Sequence, residues 1–128
     1  MRALARTVDG TFAVDLETED VTATDEAVAT PQRPDVDLPL VVAAARMGST
    51  VVAVVDRRPP LVVSYDAGST WREVGGGLPP GRAVAIDEDN PDRIVFAARN
   101  RLYVSEDGGR FWRALVPELP EIEAVTFA

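Results

Sequence analysis

Three kinds of residue in this chain have the type and spacing to do chemistry. Carboxylates are the most numerous, with 21 Asp and Glu among 128 residues. Two carboxylates that face one sugar can cut a glycosidic bond, but no pair is singled out here by its spacing. The run Asp87-Glu88-Asp89-Asn90-Pro91-Asp92 is rich enough in oxygen to suggest calcium. It lacks the glycine and the ligand spacing of an EF-hand loop, so a solvated turn is expected. Arginines are the second kind. Arg57-Arg58 and Arg99-Asn100-Arg101 place Arg58 and Arg99 41 residues apart, and Arg6 falls in a similar local context. Arg58, Arg99, Arg101 and Arg6 on one surface would focus an anionic ligand or an acidic partner. The alternative is that each pairs with a neighbouring carboxylate. The third kind is tyrosine, Tyr65 and Tyr103, and the sequence marks no glutamate as a partner for either.

The missing residue types narrow the chemistry further. There is no histidine and no cysteine. The usual general bases, thiolate nucleophiles, soft metal ligands and disulfides are therefore excluded. Neither a cofactor nor a bound metal is expected. All 13 cationic side chains are arginine, and the net charge is −8. Such a balance opposes nucleic-acid binding, which needs a basic surface. It also resembles the acid-rich, lysine-poor composition of proteins from salt-loving archaea, where salt screens the self-repulsion. Residues 1–10 hold no apolar leader-like run, and no segment reaches the length of a membrane span. A cytoplasmic protein is the expectation.

The elements that must position these groups come from a repeat. Shifted by 41 residues, the sequence falls on itself without a gap. Leu61, Val63 and Ser64 meet Leu102, Val104 and Ser105; Asp66, Gly68, Trp71 and Arg72 meet Asp107, Gly109, Trp112 and Arg113. This period suits propeller blades of four strands. Runs of Val, Ile, Phe and Tyr between Gly, Pro, Asp and Asn clusters predict strands at 40–45, 50–55, 61–65 and 71–74, then 82–87, 93–98, 101–105 and 111–115. Residues 1–24 read as a blade without its first strand, and 121–128 as the first strand it lacks. Residues 39–79 and 80–120 are the two whole blades. Residues 25–38, with Pro31 and Pro34, read as an acidic exposed connection.

Ser64-Tyr65-Asp66-Ala67-Gly68-Ser69-Thr70-Trp71 fits Ser-x-Asp-x-Gly-x-Thr-Trp, and Ser105-Glu106-Asp107-Gly108-Gly109-Arg110-Phe111-Trp112 fits it except at Phe111. The chain thereby resembles the Asp-box, or BNR, repeat proteins over residues 39–128. The resemblance implies an all-β propeller. It also implies that Ser64, Asp66, Gly68, Thr70 and Trp71, with Ser105, Asp107, Gly109 and Trp112, shape perimeter turns rather than a catalytic centre. The sialidase branch of that family uses an arginine cluster, a tyrosine nucleophile with a glutamate, an acidic aspartate and an Arg-Ile-Pro signature. Here the similar string is Arg93-Ile94-Val95, without the proline. The expectation is a non-enzymatic scaffold or binding module; the alternative is a glycan-active hydrolase or a glycan-binding protein. About three blades are too few to close a ring. Either two chains complete a six-bladed homodimer, or the sequence is a piece of a longer propeller.

Overall fold

In the computed structural model, residues 1–28 and 33–128 are described, and they are all β. The N-terminal sheet holds β1 (Arg2–Thr7), β2 (Gly10–Asp15) and β3 (Val21–Thr24). The first-repeat sheet follows: β4 (Val41–Met47), β5 (Thr50–Val55), β6 (Leu61–Ser64) and β7 (Arg72–Val74). The second-repeat sheet is β8 (Ala83–Asp87), β9 (Asn90–Ala97), β10 (Leu102–Ser105) and β11 (Arg113–Ala114). The last strand, β12 (Ile122–Phe127), pairs with β1, so each sheet has four antiparallel strands.

The middle strands of the repeats are β-branched and apolar on both faces, as in Thr50-Val51-Val52-Ala53-Val54-Val55. A strand covered on both sides reads this way instead of alternating. One strand begins earlier than the sequence predicts. β9 starts at Asn90, not at 93, and carries Pro91. Its neighbour β10 ends at Ser105, opposite Ile94, so Pro91 lies beyond that ladder and its missing N–H breaks no bond there.

The second-repeat sheet lies between the other two. Val84, Ile86, Ile94 and Phe96 on one face pack against Val52, Val54, Leu61 and Val63 of the first-repeat sheet. Ala83, Ala85, Val95 and Ala97 on the opposite face pack against Ala3, Ala5 and Val14 of the N-terminal sheet. The inner strands β4, β8 and β12 carry alanines at 43–45, 83, 85 and 124 beside larger residues such as Ile86, Ile122 and Val125. Leu16, Leu102, Phe96 and Leu115 are buried. Each fully buried Leu or Phe contributes about 1.5–3 kcal/mol. Gly81 marks the tightest approach. A methyl group there would lie 2.3 Å from Phe96 Cε2.

The two outward faces of the stack differ. On the first-repeat sheet it is apolar, with Ala53, Val55 and Val62 buried and Trp71 packed beside them. Val36 and Leu38 cover it. This corrects the expectation that 25–38 is simply an exposed connection; Arg33, Asp35 and Asp37 point to solvent while Pro34, Val36 and Leu38 are half-buried. Residues 29–32 of that segment, Pro31 included, lie outside the described residues. On the N-terminal sheet the register puts Arg2, Arg6, Thr11, Thr22, Thr24 and Thr126 outward around a single buried Leu4. Among the described residues no helix is long and apolar enough to cross a membrane.

Candidate functional site

The two Ser-x-Asp-x-Gly segments, 64–71 and 105–112, are the turns from β6 to β7 and from β10 to β11. In the first, Asp66 Oδ1 accepts from the Thr70 amide at 2.8 Å and from the Ser64 hydroxyl at 2.7 Å. The Thr70 hydroxyl donates to Asp66 Oδ2 at 2.6 Å. The Gly68 amide donates to Ser64 Oγ at 2.7 Å. Donors converging on one carboxylate favour its ionised form. The Thr70 hydroxyl and amide, followed by the Ser64 hydroxyl, hold Asp66 down at about 2. An acid already satisfied by its own turn is a poor proton donor and has little left to offer a ligand.

The second turn uses the same plan with different donors. Asp107 Oδ1 accepts from the Phe111 and Arg110 amides at 3.0 and 3.1 Å, and from Ser105 Oγ at 2.8 Å. The Phe111 amide is the largest cause of its lowered pKa. Phe111 itself, where a threonine hydroxyl would sit, is 79% exposed. Trp112 donates from Nε1 to the Gly109 carbonyl at 2.9 Å and meets Phe96 edge-on at 6.1 Å. The turns also touch each other: Tyr65 donates its phenol proton to the Gly108 carbonyl at 2.7 Å. That bond places Tyr65 in the structure of the turn.

A third turn of this kind escaped the sequence reading. Between β2 and β3, Asp15 Oδ1 accepts from the Glu17 and Thr18 amides at 2.8 and 2.9 Å. These amides, Thr18 before Glu17, lower its pKa. The signal was an aspartate ending an apolar strand three residues before a threonine, which marks an Asx turn.

Part of the oxygen-rich run at 87–92 is spent internally as well. Asp87 forms an ion pair with Arg93 at 3.2 Å and accepts from the Asp89 amide at 2.9 Å. The Asp92 carbonyl accepts from the Gly108 amide at 2.9 Å. Among the described residues no three Asp or Glu side chains gather as a metal site.

The arginines divide. Antiparallel pairing brings the β5–β6 and β9–β10 loops to the same end of the stack as the starts of β4 and β8. Arg57, Arg58, Arg82, Arg99 and Arg101 lie at that end. Arg101 pairs with Glu118 at 3.0 Å, and Arg57 with Glu73 at 3.5 Å. Arg99 and Arg82 share one carboxylate, Glu121, at 3.0 and 3.8 Å. Arg58 is exposed, and no described acid lies within ion-pair distance of it. Arg6 needs a correction. It lies within β1, not in a loop, where it pairs with Glu123 at 3.6 Å and faces outward on the N-terminal sheet. Exposed pairs of this kind hold weakly, so their arginines can change partners.

Two concavities accompany this face. One, of about 1000 Å³, runs along the inner strands β4, β8 and β12 and mixes Arg46 and Arg82 with Asp87, Glu88 and Glu123. The other, of about 720 Å³, lies where the β5–β6 loop meets the connection from β7 to β8 and includes Arg58. No family model and no curated protein matches the chain.

Proposed function

We propose that this chain is a non-enzymatic binding scaffold of Asp-box-type blades that presents its arginine-bearing loop face to an acidic partner. The observation that carries the reading is the division of charge. The carboxylates of the turns are consumed by their own backbone, whereas Arg58 has no described acidic partner and Arg82 and Arg99 share Glu121. In a chain of net charge −8, five arginines gathered at one end, Arg58 among them unpaired with any described acid, are where an anion gains most.

Polyglutamate is a suitable probe because its binding reads the charge alone. The double variant Arg58→Ala, Arg99→Ala should stay folded, since exposed side chains change stability by no more than about 0.5 kcal/mol. It should lose salt-sensitive retention on immobilised polyglutamate. Equal retention by variant and parent would refute the reading.

Ring completion by a second chain belongs to the same proposal and now has a stated requirement. The second copy must pack against the polar outward face of the N-terminal sheet and accommodate Val36 and Leu38 on the first-repeat sheet. Light scattering at twice 13.8 kDa supports that assembly, and a compact monomer of 13.8 kDa rules it out.

A further inference from the structure

The cleft of about 720 Å³ beside Arg58 is walled differently from the groove along the inner strands. Its charged lining is Arg57 and Arg58, with no carboxylate. The rest is apolar or rigid: Pro59 and Pro60 from one loop, Leu78, Pro79 and Pro80 from the other, and Tyr103 from β10. Tyr103 is half-buried and held against Phe96, with ring centroids 5.8 Å apart. Proline fixes its own φ and carries no N–H, so these walls are preorganised and offer few donors of their own. Little ordering cost is then left for binding.

We infer that this cleft binds an extended peptide segment of a partner protein in which an acidic side chain stands next to an aromatic one. This inference rests on the binding-scaffold reading above and names its site and ligand chemistry. The carboxylate is drawn by Arg58, with Arg57 released from its exposed pair with Glu73. The neighbouring ring packs on the prolines, Leu78 and Tyr103, as amphipathic aromatic residues do at interfaces. The larger groove along the inner strands fits this chemistry less well, because Asp87, Glu88, Asp89 and Glu123 line it and repel an anion.

The test uses a capped Glu-Phe-Glu-Phe peptide and its Gln-Phe-Gln-Phe counterpart, followed by amide NMR shifts of the intact chain. The acidic peptide should move Gly76, Gly77, Leu78 and Tyr103. The variant R58Q should weaken it about tenfold or more, as loss of a charged hydrogen bond implies. R110Q, in the turn from β10 to β11 at the far end of the sheet, should leave it unchanged. Equal binding of the neutral peptide, or shifts that spare these residues, would overturn the inference. If R99Q weakens the peptide and R58Q does not, the loop-face reading survives and the cleft is the wrong place. If the peptide fails to bind while polyglutamate is still retained, the cleft falls in the same way.

Discussion

The turns at 64–71 and 105–112 share Ser, Asp, Gly and Trp at matching positions, yet they are held together differently. The first belongs to the sheet at one end of the stack and carries its own bonds, including the Thr70 hydroxyl on Asp66. The second belongs to the middle sheet and adds support from its neighbours to the bonds on Asp107. Tyr65 bonds Gly108, Val74 lies against Gly109, and Trp112 stands on Phe96. A turn at the free end must be closed from within, while an interior turn can lose its threonine and let packing supply the difference.

The largest break in this comparison comes from the tryptophans. Trp112→Ala removes a ring from the layer between the two repeat sheets and should cost about 3 kcal/mol. Trp71→Ala should cost less, because that ring rests on an outward face covered by Val36 and Leu38. Urea unfolding of both variants reads the difference, and equal losses would show that the two turns are supported alike.

Acid should separate the turns next. The Asp66 carboxyl falls from its usual 3.8 to about 2 in the fold. A depressed carboxylate stabilises above the unfolded value, and that stabilisation is lost as pH drops through the folded value. Stability from Asp66 is therefore complete above about pH 4 and gone below about pH 2. Asp66→Asn should flatten the melting temperature across that window. Asp107→Asn, which removes a carboxylate that has the Ser105 hydroxyl but no threonine hydroxyl as donor, should flatten it less.

The smallest effect sharpens the comparison at one backbone position. Ala67 has φ 59° where its counterpart Gly108 has φ 75°. This left-handed region disfavours a side chain and favours glycine. Ala67→Gly should gain about 0.5 kcal/mol after the added freedom of the unfolded chain is subtracted. A loss on thermal melting would mean that the alanine is not strained.

Much of this was legible beforehand. The 41-residue shift located both turns and the strands around them, because the turn needs particular side chains and the strands need apolar ones. The role of 33–38 was not read, although Pro34-Asp35-Val36-Asp37-Leu38 alternates as a half-covered strand does. Its acidic residues drew attention to solvent and away from the apolar side. Arg6 was misplaced because the N-terminal match was loose and a one-residue offset moves a group from loop to strand.

The local plan was thus in the sequence: four-stranded units, Asp-anchored turns, a chain without histidine or cysteine chemistry. Backbone geometry and donor types act over a few residues, and a single chain spells them out. Which arginines find an acidic partner did not have that property. Glu121 serves both Arg82 and Arg99, and Arg58 stands beside a proline-lined cleft shared with Tyr103, only after loops separated by tens of residues meet at one end of the stack. Charge pairing and cavity shape depend on distances in space, and those the tertiary structure alone decides.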